Sequence, residues 1–178
     1  RVCPAERAGH LDHFLRRLLQ NPRRILEPYI KKGRTALDFG CGPGFFTLPM
    51  AELVGAEGRV IAADLQQEML GKLRAKARNT QLEQRISLHH CKGGAIGITR
   101  TVDFALAFYV VHELPDQAGF FREMRSLLRP GGQLLVVEPP FHVSRKDFEN
   151  CVQIAGDAGF TAGSGPRVRL SKSVLFTA

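Results

Sequence analysis

Residues 37–46, LDFGCGPGFF, place three glycines within five positions directly after a short apolar run. Glycine has no Cβ and reaches positive φ freely, so this density marks a tight turn whose backbone something approaches closely. An apolar run, a glycine turn and then a helical pattern form the start of a βαβ unit. Such a start commits the chain to an α/β sheet with a ligand site at a strand's carboxyl end. The glycine spacing tests which ligand. The dinucleotide fingerprint G-x-G-x-x-G puts its third glycine three positions after the second. Gly40 and Gly42 fit it, but the third position is Phe45 and the third glycine is Gly44. The pattern is G-x-G-x-G, and a nicotinamide dinucleotide is excluded on its own motif.

The rest of the chain continues the alternation. Residues 35–39, 59–63, 85–90 and 102–109 read as the first four strands, the fourth almost continuously apolar, as expected of a parallel strand covered on both faces. RPGGQLLVVEP (129–139) reads as a turn feeding a fifth strand, and 160–162 and 173–176 as the last two. Apolar residues at helical spacing mark the intervening helices: Phe46, Met50 and Leu53; Met69, Leu73 and Ala77; Phe120, Phe121, Met124, Leu127 and Leu128; Phe148, Cys151, Val152 and Ala155. Ser144 and Asp147 form a capping-box pattern before the last of these. The stretch 91–101, CKGGAIGITRT, is too glycine-rich for a helix, so one crossover should be irregular. The expected fold is α/β: a doubly wound, mostly parallel seven-stranded sheet flanked by helices, with N-terminal helices.

The 178 residues suit a single core, and a composition of 44% hydrophobic and 24% charged residues is that of a folded chain. No apolar run approaches the roughly 20 residues of a membrane span. No signal-peptide pattern is present, although the chain begins at Arg1 rather than Met. Cys3, Cys41, Cys91 and Cys151 are scattered without a CxxC pair, which points to reduced thiols in a cytoplasmic protein. Charge is uneven. Residues 1–34 hold nine Lys/Arg against Glu6, Asp12 and Glu27, which leaves six of the net +8 in this segment. Leu11, Phe14, Leu15, Leu18 and Leu19 form a core-facing helical stripe there, so the basic residues read as its solvated face. Asn21-Pro22 restarts a second helix as N-cap and first-turn proline. Two units are expected: an N-terminal helical segment, 1–34, and a ligand-binding domain, 35–178.

In motif order the chain resembles the class I S-adenosylmethionine (SAM)-dependent methyltransferases. Asp38, Gly40, Gly42 and Gly44 match that family's first motif, an acidic residue followed by G-x-G-x-G. Asp64 ends the second strand (VIAAD), VDFALAFYVVHEL follows as strand four, and MRSLLRPGGQLLVVEP leads into strand five. The resemblance runs from about residue 35 to the C-terminus and is nearest to the small-molecule, ubiquinone/menaquinone-biosynthesis-like group. It implies SAM as co-substrate, with Asp38, Gly40, Cys41, Gly42 and Gly44 about its amino-acid end and Asp64 on the ribose hydroxyls. Leu65 would lie against adenine, and Gly93, Ala107 and Phe108 would complete the cofactor-binding set. One position departs from the family: where an acid usually follows strand three, this chain has Lys92, which cannot accept a hydrogen bond from adenine.

The sulfonium is already a good leaving group, so positioning and water exclusion carry much of the rate. A general base is needed only for a protonated acceptor. Tyr109, His112 and Glu113, at the end of strand four, are the catalytic candidates, and Glu138 and His142 follow strand five. No metal-ligand spacing joins them, and no metal is expected. His10 and His13 read as surface or packing residues. EPPF (138–141) mimics the motif of nucleobase amino-methylating enzymes, but it follows strand five and starts with Glu138, so it reads as a proline-made change of direction. The leading expectation is a methyltransferase for a small-molecule acceptor. The alternatives are an RNA or protein methyltransferase guided by the basic N-terminal segment, and a non-catalytic SAM-binding protein. Nucleic acid is the less favoured partner, because no basic-aromatic interleaving supports it.

Overall fold

The computed structural model describes residues 20–92 and 94–178. The Leu11–Leu19 stripe, His10, His13 and Gly93 lie outside the described residues. Among those described, seven strands form one sheet: β1 Thr35–Phe39, β2 Arg59–Asp64, β3 Ile86–His90, β4 Val102–Phe108, β5 Leu128–Glu138, β6 Thr161–Ser164 and β7 Lys172–Thr177. Their order is β3-β2-β1-β4-β5-β7-β6. Strands β1 to β5 pair in parallel, and β7 runs antiparallel to β5 and β6. The helices are α1 Pro22–Leu26, α2 Thr47–Leu53, α3 Gln67–Ala77, α4 Gln117–Leu127 and α5 Arg145–Asp157.

Side chains alternate across a strand, and both faces of this sheet are covered, which is why β4 is apolar at nearly every position. Ala105 and Ala107 join the cluster that contains Phe120, Phe121 and Met124 of α4 and Cys151 and Ala155 of α5. Phe104, Leu106 and Phe108 join the other, with Ile25 and Leu26 of α1 and Met50 and Ala51 of α2. Leu70 and Leu73 of α3 pack with Cys41 and Ala62. Each such large side chain contributes about 1.5–3 kcal/mol by burial. Ile25, Leu26 and Ile30 thus anchor the segment before β1 in the core itself.

Local signals set the helix starts. Asn21 Oδ1 accepts the Arg24 N–H at 3.2 Å, capping α1. Ser144 and Asp147 form the expected reciprocal box at the start of α5. Among the described residues of the 91–101 crossover there is no helix, only an isolated Lys92–Ala95 bridge.

Most strand ends shift by a residue or two from expectation, and three of the changes have a visible cause. β4 stops at Phe108 because Tyr109 takes φ 60°, outside any strand conformation. Leu128 belongs to β5, not to α4, and pairs with Val102. The register then jumps to Phe104–Gln133, so Arg129–Gly132 bulges out of the strand instead of preceding it. Phe160 donates its N–H back to Ala155 O, closing the end of α5, and β6 begins one residue later.

The topology locates the site. β1 has β2 on one side and β4 on the other, so the strand order reverses between β1 and β4. A crevice opens beyond their carboxyl ends.

Candidate active site

The glycine turn leaves β1 and is tied to β2 from both ends. Gly40 and Cys41 both donate their N–H groups to Ala63 O, at 2.8 and 3.1 Å. Gly40, Gly42 and Gly44 all have positive φ, of 73°, 52° and 90°. Their surroundings separate their roles. A Cβ on Gly40 would lie 2.8 Å from Val110 Cγ2, and one on Gly44 would collide with Leu73 Cδ1. A Cβ on Gly42 would meet nothing within 4 Å. Gly40 and Gly44 therefore let protein pack against protein, while Gly42 keeps its side of the turn open to a ligand.

Asp64, at the end of β2, is bonded to that turn. Its Oδ2 accepts the Gly42 N–H and its Oδ1 the Gln66 N–H, each at 2.8 Å. A carboxylate oxygen offers about two acceptor positions, so each keeps capacity for a hydroxyl. Asp38 is deeper, 2% exposed, and its Oδ2 accepts the Thr47 hydroxyl at 2.6 Å. Thr47 is a residue that sequence reasoning missed; a buried hydroxyl in the first turn of α2 was its only signal. Leu65, beside Asp64, is an apolar side chain left 45% exposed. Lys92 is exposed, and the neighbouring Cys91 N–H is bound to Asp64 O at 3.0 Å. Ala107 and Phe108 are buried; the Phe108 ring lies 4.3 Å from that of Phe46 and 4.4 Å from that of Tyr109, centroid to centroid.

Burial makes the described thiols inert. It pushes the Cys41 thiol far above the ordinary range, with Asp38 and Asp64 adding to the effect. Burial lifts Cys91 to about 11 and Cys151 to about 12.

The three catalytic candidates separate. Tyr109 holds a backbone conformation costly for an aromatic residue, and strain of this kind concentrates at functional sites. Its hydroxyl is engaged with Gln20 Nε2 at 2.6 Å and Ser171 Oγ at 2.5 Å, joining the chain before α1 to the loop before β7. His112 meets Glu138: Nδ1 lies 2.5 Å from Oε2, and the backbone N–H donates to Oε1 at 3.1 Å. Glu138 is 1% exposed, and burial raises its pKa against the lowering effect of His112. Both line a cavity of about 260 Å³ with Gln117, His142, Asn150 and Cys151. Glu113 is not among the residues lining it. Asn150 and Gln117 had no sequence signal, because only the packing of α4 and α5 against the end of β5 brings them there. A second cavity, of about 250 Å³, lies by Arg34, Asp103 and Arg129 at the opposite ends of the strands, away from the crevice.

A parallel sheet in this order with an antiparallel last hairpin, a G-x-G-x-G turn after β1 and an acid closing β2 define a class I SAM-dependent methyltransferase. Residues 36–132, more than half of the chain, match the methyltransferase domain family, and the chain belongs to it. SAM is the co-substrate of this class, and the open Gly42 turn beside Asp64 suits it. The chain is 31% identical over 118 residues to the demethylmenaquinone methyltransferase of Bacillus cereus (strain ATCC 10987 / NRS 248), covering 65% of this chain and 48% of that protein. The corresponding protein of Oceanobacillus iheyensis is 30% identical over 112 residues, covering 61% and 46%. The chain therefore spans about half the length of the curated relatives it matches. Among solved structures, a SAM-dependent methyltransferase from Aquifex aeolicus superposes with a TM-score of 0.85 at 26% identity, covering 99% of this chain and 98% of that one. A methyltransferase from Pyrococcus furiosus shares the fold, with a TM-score of 0.69 at 18% identity, covering 88% and 81%. Among the described residues no helix is long and apolar enough to cross a membrane.

Proposed function

We propose that this domain transfers the SAM methyl group by in-line displacement to a small-molecule acceptor. The observation that carries this reading is the contact between Gly40 and Val110. It sets the donor turn directly against the segment that leads, two residues later, to His112 and the cavity it lines. About 260 Å³ lies just below the range of roughly 300–1,000 Å³ for drug-sized ligand pockets, which suits one or two rings rather than a polymer. Phe141 and Leu170, in the segments that follow β5 and precede β7, are exposed apolar side chains. The match to demethylmenaquinone methyltransferases favours an aromatic ring acceptor.

In this reading Gly40, Cys41, Gly42 and Gly44 shape the cradle for the amino-acid end of SAM, with Asp38 behind it held by Thr47. Asp64 takes the ribose hydroxyls, Leu65 covers adenine, and backbone groups near Gly93 replace the missing acid at Lys92. Ala107 and Phe108 form the floor. SAM supplies an activated methyl; the chain orients it and excludes water. The segment 1–34 covers the acceptor side, a role supported by the Gln20–Tyr109 hydrogen bond. The buried free thiols Cys41, Cys91 and Cys151 favour work in the cytoplasm.

Calorimetric titration with SAM, then incubation with deuteromethyl-SAM and separate pools of catechol, dithionite-reduced 1,4-naphthoquinone, total RNA and lysate protein, tests the proposal. Label on a small molecule is expected. No heat with SAM, or label on RNA or protein alone, overturns it.

A further inference from the structure

We propose that His112 is the general base of the transfer and that Glu138 is the residue that positions it, which defines the acceptor as a molecule carrying a protonated, conjugated hydroxyl. The inference rests on the small-molecule methyltransferase reading and deepens it.

The geometry assigns the two ring nitrogens different tasks. Glu138 takes two contacts from one residue, the His112 backbone N–H on Oε1 and ring Nδ1 on Oε2. An ionised carboxylate only accepts, so Nδ1 carries the hydrogen. In the neutral ring Nε2 then has a free lone pair, and no hydrogen bond to it is found among the described residues. The ring is partly accessible, 24% exposed, while its partner carboxylate is closed off at 2%. One end is locked in protein and the other is left for the cavity. A purely structural tether between the end of β5 and the turn after β4 would be complete with the backbone bond alone.

Three neighbouring groups are already committed or kept protonated. The Tyr109 hydroxyl already has two partners, Gln20 and Ser171. Asp147, at the cavity edge, is committed to the Ser144 box. Cys151 is a thiol pushed up to about 12 by burial and by Glu138, so it stays protonated.

The step balances as follows. The acceptor hydroxyl gives its proton to His112 Nε2, and the oxygen electron pair forms the bond to the SAM methyl carbon. The sulfur–methyl bond breaks with its pair on sulfur, leaving S-adenosylhomocysteine as a neutral thioether. The imidazolium, stabilised by Glu138, then loses its proton to water. An acceptor that arrives already ionised needs no base.

Two measurements test this. First, two-bond proton–nitrogen correlation spectra of the ¹⁵N-histidine-labelled chain, free of ligand, should show His112 protonated on Nδ1. Glu138→Gln, which offers one acceptor oxygen to two donors, should weaken that preference, and Glu138→Leu should lose it. Second, catechol and 4-nitrocatechol share a shape but differ in acidity, the latter being ionised at mildly alkaline pH. His112→Asn should lower kcat on catechol by about 100-fold or more, the scale of general base catalysis. On 4-nitrocatechol the loss should shrink to a few-fold, and SAM affinity should hold in both cases. Should His112→Asn fail to fold, Glu138→Gln and Glu138→Leu give the same contrast, with the glutamine variant the more active on catechol. The proposal is overturned by an Nε2–H tautomer in the parent chain, by equal losses on the two catechols, or by a parent chain that binds SAM but methylates neither. A parent chain that does not bind SAM at all overturns the function proposed above instead, while the spectra still test the ring.

Discussion

Asp64 Oδ2 accepts the Gly42 N–H at 2.8 Å, so the acid that closes β2 also sets the shape of the glycine turn after β1. Two motifs 22 residues apart are one structural unit. The same carboxylate holds Gln66 at the entry to α3.

Asp64→Ala should therefore cost both binding and stability. Hydrogen bonds to a charged group are worth about 1.5–3 kcal/mol each, so SAM affinity should fall by tenfold or more. The orphaned Gly42 and Gln66 amides should also lower the melting temperature by several degrees, since about 1 kcal/mol moves it by roughly 2–4 °C in a chain of this size. Asp64→Asn keeps one acceptor and should lose less of each. Calorimetry with SAM and thermal melting measure the two effects; an Ala variant with parental affinity would move the ribose contact elsewhere.

The glycines should divide by what their missing Cβ would meet. Gly44→Ala collides with Leu73 at a φ of 90° and should destabilise the fold, through a left-handed penalty of about 1–2 kcal/mol plus overpacking. Gly42→Ala meets open space. It should melt closer to the parent yet lose more SAM affinity per degree of melting temperature lost. Parallel melting curves and SAM titrations of the two variants check this ordering.

Glu138 gives stability a pH dependence of known sign. Burial raises its pKa in the fold above the ordinary glutamate value, outweighing the lowering by His112. A raised folded pKa means that the fold binds this proton more tightly than the unfolded chain does. The associated stability is present below the ordinary glutamate value and is lost as pH rises through the raised one. Glu138→Gln should accordingly melt above the parent chain near neutral pH, with the gap closing as pH falls below about 4. Melting temperatures across about pH 4 to 8 read this directly; a gap that widens on acidification would contradict it.

Removing residues 1–20 deletes the Gln20 partner of Tyr109 but leaves the Asn21 cap and the buried Ile25, Leu26 and Ile30. SAM affinity should stay within a few-fold while methyl transfer to catechol is lost. If the full chain binds RNA with steep salt dependence and the deletion removes that binding, the basic segment serves nucleic acid instead.

Everything repetitive in this molecule was readable along the chain. The G-x-G-x-G turn, the apolar run of β4, the Ser144–Asp147 box and the Asn21 cap are local, because backbone conformation and side-chain period act within a few residues. The end of β4 was not readable, because the positive φ of Tyr109 depends on partners far away in the chain: Val137 O, Ser171 and Gln20. Nor was the bulge at Arg129–Gly132, which follows from how β5 must shift to pair with β4. The sequence named Asp38, Asp64, His112 and Glu138 as groups with chemistry to offer. It could not say that Asp38 binds Thr47, that Asp64 braces Gly42, or that His112 and Glu138 share a hydrogen bond across 26 positions. Charge and hydrogen-bonding capacity belong to a residue type, but a partner belongs to the packing. The sheet order, by placing β4 between β1 and β5, decided which of these groups meet.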